Sequence, residues 1–256
     1  MCLIAFAWKV HPRWRLLLVG NRDEFHERPT ATLTRWNDDT GIVAGRDLQA
    51  GGTWLGVTGD NRVAVVTNVR NPADPQAGFS RGLLAVDYLA GADDAIAHAR
   101  AMQLRAAAYR PFNLLTFDAH NAYYHGNRPE PRMQVVAAGV HGLSNADFNA
   151  PWPKTQAICE RLRGWIDGAD EGDFEALFEM LADDTAWPDE VLPDTGVGVE
   201  LERTLSAAFI RGDRYGTRAS TIVAVDYDGA TIVVERRFGP NGVALGETAI
   251  ALEATA

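Results

Sequence analysis

Cys2 is the first residue whose chemistry stands out. It directly follows Met1, and a continuous apolar run to Trp8 comes after it. A small side chain at position two permits removal of Met1, which would leave cysteine at the mature N-terminus. Such a residue carries a thiol and a free α-amine together. The amine has an unperturbed pKa of about 7.7–8.0, so it can act as a base near neutral pH. A nucleophile activated by its own terminal amine is an established catalytic arrangement. The competing reading is a small residue at the start of a buried strand.

A second group of residues follows at 21–24, Asn21-Arg22-Asp23-Glu24, with Arg28-Pro29 close behind. An Arg held by carboxylates beside a thiol would lower its pKa and orient it. An ion-paired turn at a strand end is the plain alternative. Further polar strings are Gly45-Arg46-Asp47, Gly51-Gly52-Thr53-Trp54-Leu55-Gly56, Thr67-Asn68, Ser80-Arg81-Gly82, Ser144-Asn145 and Thr217-Arg218-Ala219-Ser220. An Asn amide can donate to a developing oxyanion and an Arg can stabilise charge. Taken singly, Asn in a turn is the commoner role. Gly51-Gly52 reads as a turn or a close approach and not as a phosphate cradle.

These residues need elements to position them. Apolar runs at Cys2–Trp8 and 15–20 read as strands joined through His11-Pro12. Runs at 52–58 and 62–68 are joined by Gly59-Asp60-Asn61, and strand signals return at 112–117, 122–125 and 134–138. A hairpin at 220–227 and 230–237 turns at Asp228-Gly229. Continuous rather than alternating apolar strands imply sheets covered on both faces. Helical periodicity starts near Ser80, a residue type suited to N-capping, and a second helix spans 94–105 with Asp93 as its cap. Residues 154–166 place Ile158, Leu162 and Trp165 on one face, and Phe174, Leu177, Phe178 and Leu181 repeat the pattern. The order predicts an α+β fold in one domain over 1–256, with two antiparallel sheets packed together and helices outside.

Composition excludes several classes. At 256 residues with 46% hydrophobic and 23% charged residues, the chain can bury a full core without staples. Its net charge is −10, which argues against nucleic-acid binding. The segment 164–202 holds 13 acidic residues and no Lys or Arg, leaving the remainder at +3 (24 basic, 21 acidic). It is read as a peripheral helical excursion outside the site. All cations but Lys9 and Lys154 are Arg, from genome composition or because Arg forks hold anions. Two cysteines make no disulfide framework, and no metal-ligand spacing or nucleotide motif is present, so no metal or cofactor is expected. No membrane-span or signal-peptide pattern is seen, so a cytoplasmic location is expected.

Together, Met1-Cys2, Asn21-Arg22-Asp23-Glu24-Phe25, Arg28-Pro29, Gly45-Arg46-Asp47, Gly51-Gly52-Thr53-Trp54-Leu55-Gly56, Thr67-Asn68 and Ser80-Arg81-Gly82 resemble the NRDE family. Its animal members are transport and Golgi organization 2 proteins. That family in turn resembles the Cys-type N-terminal nucleophile hydrolases. The resemblance implies a four-layer αββα sandwich with Cys2 as nucleophile. Arg22, Asp23 and Arg218 would orient the thiol and amine, and Asn68 and Asn145 would form the oxyanion site. Asn21, Glu24, Arg46 and Trp54 would contact substrate. The implied activity is hydrolysis of a non-peptide amide or thioester, the substrate bearing an anionic or acyl group, in lipid or acyl metabolism. The alternative is a non-catalytic carrier of haem or an acyl lipid on the same fold, with a histidine such as His26 as a haem ligand.

Overall fold

The computed structural model describes residues 2–73, 77–168 and 174–254. Its centre is a pair of antiparallel sheets. The first contains β1 (Cys2–Trp8), β2 (Trp14–Phe25), β10 (Gly139–Leu143), β11 (Tyr215–Asp226), β12 (Thr231–Phe238) and β13 (Ala244–Leu252), in the order β10-β1-β2-β11-β12-β13. The second runs in sequence order through β3 (Thr30–Arg35), β4 (Val43–Asp47), β5 (Leu55–Val57), β6 (Val63–Asn68), β7 (Phe112–Phe117), β8 (Ala122–Gly126) and β9 (Arg132–Val135).

The side-chain period of two sorts β1 and β2 onto opposite faces. Ile4, Phe6, Trp8, Leu16 and Leu18 pack between the sheets against Leu55, Val65, Leu115 and Phe117. Leu3, Ala5, Ala7, Leu17 and Val19 face a helical layer of α3 (Pro153–Asp167) and α4 (Phe174–Leu181). On the far side, α1 (Gly82–Ala90) and α2 (Ala95–Arg105) cover the second sheet through Leu84, Tyr88 and Met102. The result is four layers, helix–sheet–sheet–helix. Burial on both faces is why the strand sequences are continuously apolar, and each such large side chain contributes roughly 1.5–3 kcal/mol.

Several details differ from the sequence expectations. β2 does not end at residue 20 but continues through Asn21-Arg22-Asp23-Glu24 to Phe25, because the buried polar groups there find cross-strand partners. Strands β3, β4, β10 and β13 carry too few buried apolar residues to be read from pattern; in β3 only Leu33 is buried. Strand β9 spans Arg132–Val135 rather than 134–138. Ser80 does not cap α1, whose capping position is Arg81. Asp94, not Asp93, caps α2, accepting from the Ala97 N–H at 2.7 Å. In the acidic stretch, Leu177, Phe178, Met180 and Leu181 of α4 are buried under the first sheet. Residues 169–173 of that stretch lie outside the described residues. No helix among the described residues is long and apolar enough to cross a membrane.

Candidate active site

Strand pairing fixes the centre of the site. Cys2 lies directly opposite Arg22 in the β1–β2 ladder, and Asp23 lies opposite Thr217 in the β2–β11 ladder. The register then slips, since Ala219 pairs with Arg22, so Arg218 is the extra residue of a β-bulge. A bulge redirects the side chain it carries. Here it sends Arg218 towards the β2–β3 connection, where Nη1 donates to the carbonyls of Phe25 (3.2 Å) and Arg28 and to Thr30 Oγ1 (3.3 Å).

These strand ends open into a pocket of about 270 Å3. Cys2, Arg22, Asp23, Glu24, Arg46, Trp54, Asn68 and Arg218 all line it, so eight of the ten residues expected from sequence converge. The wall carries seven arginines against four acids (Asp23, Glu24, Asp47 and Glu235). Arg22 and Arg28 reach Glu24 at 3.9 and 3.7 Å, and Arg28 binds Asp47 at 2.7 Å. Arg46 stacks on Trp36 at 4.1 Å and reaches Asp38 at 3.6 Å.

Asn21 and Asn145 are not on the wall. Asn21 is fully buried on the helix-facing side of β2. Its amide nitrogen donates to the Leu181 and Ala208 carbonyls at 2.8 Å, and its oxygen accepts from Ser220 Oγ at 2.6 Å. It therefore ties β2 to the helical layer instead of meeting a substrate. Asn145, also fully buried, lies behind Asn68. Its Nδ2 donates to Asn68 Oδ1 at 2.8 Å and to the Asn68 carbonyl at 3.1 Å. With its donors committed, Asn145 orients the Asn68 amide and does not itself reach the pocket. Its neighbour Ser144 donates to the Cys2 carbonyl at 3.0 Å, and Thr67 Oγ1 donates to the Ser144 carbonyl at 2.7 Å. These bonds join the strand ends of the two sheets at Cys2. His26 does not line the pocket; its Nε2 lies 3.2 Å from the Gly212 carbonyl oxygen.

Burial pushes the Cys2 thiol above its ordinary value. Asp23 adds to that rise, while Arg22 and a hydrogen bond from the Asp23 backbone oppose it. The Asp23 carboxyl is raised by burial, partly offset by Lys154, and accepts from Thr217 Oγ1 at 2.7 Å. A thiol held up in this way needs a base to release its proton.

Sequence reasoning missed a buried ionic cluster beneath this centre. Lys154, in the first turn of α3, is buried, donates to the Leu205 carbonyl at 2.7 Å and has its pKa pushed down by burial to about 8. Arg70 pairs with Glu202 of α5 (Val199–Thr204) at 2.5 Å, both buried. One signal was available: a cation in the first helical turn opposes the helix dipole, so Lys154 needs a reason to be there.

A conjugated bile acid hydrolase from Clostridium perfringens, solved as a mutant, matches this structure with a TM-score of 0.54 at 10% identity, over 98% of this chain and 92% of that one. The fold is thus the αββα sandwich of the N-terminal nucleophile hydrolases. Residues 1–240 match the family profile described as Transport and Golgi organisation 2, and the chain belongs to that family. The Homo sapiens transport and Golgi organization protein 2 homolog is 31% identical, covering 92% of each chain. The Drosophila melanogaster transport and Golgi organization protein 2 is 25% identical, covering 92% of this chain and 91% of its own.

Proposed function

We propose that the protein is an N-terminal cysteine hydrolase acting on a non-peptide amide or thioester, with Cys2 as nucleophile once Met1 is removed. The observation that carries this reading is the convergence of Cys2, Arg22, Asp23, Asn68 and Arg218 on one pocket from separate stretches of sequence. The freed α-amine of Cys2 takes the thiol proton, and Sγ attacks the substrate carbonyl. The Asn68 amide donates to the oxyanion of the tetrahedral adduct. As that adduct collapses, the C–N or C–S bond breaks and the ammonium gives its proton to the leaving group. Water, deprotonated by the same amine, then attacks the Cys2 acyl thioester, releasing the acid and restoring the thiol. Arg22 favours the thiolate, and Asp23 holds the ammonium near it. The surplus of arginines suits a substrate with an anionic group.

The test is turnover of a panel of chromogenic acyl thioesters and amides, with Cys2→Ala as control. Hydrolysis by the wild type that disappears in Cys2→Ala supports the reading. A purified protein that carries haem or an acyl lipid, turns over none of the panel and leaves Cys2 unacylated supports the carrier reading instead.

A further inference from the structure

Not all cations of the pocket are alike. Arg22, Arg28 and Arg46 are each within 4 Å of a carboxylate, and Arg218 is committed to three oxygens at the bulge. Arg81 and Arg110, like Arg237, line the same pocket but form no ion pair among the described residues. The hydrogen bond of the Arg81 guanidinium goes to the Pro111 carbonyl, at 3.4 Å. Backbone pairing holds both in place. Phe79 and Tyr109 form a parallel bridge, with Phe79 N–H donating to the Ala108 carbonyl at 3.0 Å and Arg110 N–H to the Phe79 carbonyl at 3.3 Å. That bridge sets the two arginine-bearing segments side by side. Gly52 then lets the Arg81-Gly82 backbone settle against the pocket: a Cβ on Gly52 would fall 2.4 Å from the Gly82 carbonyl carbon. The Thr53 N–H donates to the Gly82 carbonyl at 3.2 Å and holds this seat.

Two like charges thereby share one wall of the pocket, with no carboxylate within 4 Å of either among the described residues. Burial lowers the Arg81 pKa, Arg110 lowers it further, and Cys2 and Glu24 on the same pocket act in the opposite sense without cancelling the fall. A bound oxyanion between the two forks would relieve the repulsion and use their planar donors.

We propose that Arg81 and Arg110 form a clamp for an oxyanion group of the substrate, a carboxylate or a phosphate, which places the adjoining carbonyl at Cys2. The proposal rests on Cys2 being the nucleophile and adds the part of the site that selects the substrate. An amide or thioester with an acidic group on the acyl or leaving side fits; a neutral one lacks the anchor.

The test compares alkylation of Cys2 by iodoacetate and by iodoacetamide, reagents that differ in charge and little in size. In the wild type at low salt, the iodoacetate-to-iodoacetamide rate ratio is expected about tenfold above that of free cysteine. It falls towards the free-cysteine value in high salt. Arg81→Gln with Arg110→Gln lowers the ratio about fivefold or more, Arg81→Lys restores part of it, and Arg46→Gln, whose cation already has Asp38, lowers it less. Should the double variant fail to fold, the wild type alone answers: inorganic pyrophosphate protects Cys2 from iodoacetate at low salt. A wild-type ratio equal to that of free cysteine, equal falls in the double variant and Arg46→Gln, or no protection by pyrophosphate overturns the clamp while leaving the nucleophile in place. Labelling by neither reagent overturns the nucleophile, and the clamp with it.

Discussion

Asn145 Nδ2 donates to Asn68 Oδ1 at 2.8 Å, which turns the Asn68 amide nitrogen away from its buried neighbour. In the proposed mechanism Asn145 holds Asn68, and Asn68 donates to the oxyanion. Asn68→Ala should lower turnover of an acyl thioester by about 10²–10³, mostly in kcat. Asn145→Ala leaves the donor in place but loose, so its loss in kcat should be smaller. That variant also removes the shorter of two side-chain hydrogen bonds to the part-buried Asn68 carbonyl and should cost about 1–3 kcal/mol in urea unfolding, which Asn68→Ala reproduces less strongly. Wild-type turnover in Asn68→Ala would remove it from the oxyanion site.

Arg22 and Asp23 act on Cys2 with opposite signs. The pH dependence of Cys2 labelling by iodoacetamide should therefore shift in opposite directions: Arg22→Gln moves the midpoint upward, and Asp23→Asn moves it downward. A shift in the same direction for both would contradict the geometry of the β1–β2–β11 junction.

Lys154 links the site to stability. Its folded pKa is about 8, against an ordinary 10.5, and burial is the main cause. Between these values the unfolded chain holds the proton and the folded chain does not, so this group's contribution to stability rises with pH from about 8 to 10.5. It is lost again as pH falls back to about 8. The gap corresponds to roughly 3 kcal/mol of buried charge cost at neutral pH. Lys154→Met should flatten the rise, as read from urea unfolding at about pH 7.5 and about pH 10.

The acidic stretch predicts two unlike outcomes. Glu202 is buried against Arg70, so Glu202→Gln removes the carboxylate that faces a buried guanidinium and should cost roughly 3–5 kcal/mol in urea unfolding. Asp183 and Asp184 meet Arg161 and Arg211 at the exposed surface. Replacing both with Asn should change stability little and leave Cys2 labelling nearly unaltered.

The layers were legible because β1, β2 and β11 are buried on both faces and announce it with unbroken apolar runs, and β7 nearly so. Edge and surface strands were not. Most of β13 is exposed, and Thr30–Arg35 alternates polar residues around the single buried Leu33. The site residues Cys2, Arg22, Asp23, Asn68 and Arg218 could be picked out by resemblance, yet their chemistry came from pairing. Residue types cannot tell that Asn21 points to the helices while Arg22 faces the pocket; the alternation of a strand that continues beyond its apolar run decides it. Asn145 was likewise indistinguishable from Asn68 until their hydrogen bond gave one the supporting role. Arg81 and Arg110 become neighbours only through the Phe79–Tyr109 bridge, which no local pattern encodes.

The proposed mechanism turns on Cys2 carrying the acyl group, with its own α-amine as base. Acid-quenched intact mass spectrometry during turnover of an acyl thioester observes that event itself. The expected result is a chain lacking Met1 that gains one acyl group, located at Cys2 by fragmentation and lost when the substrate is consumed. A chain that turns over substrate while retaining Met1, or that stays unacylated through every turnover, would contradict it.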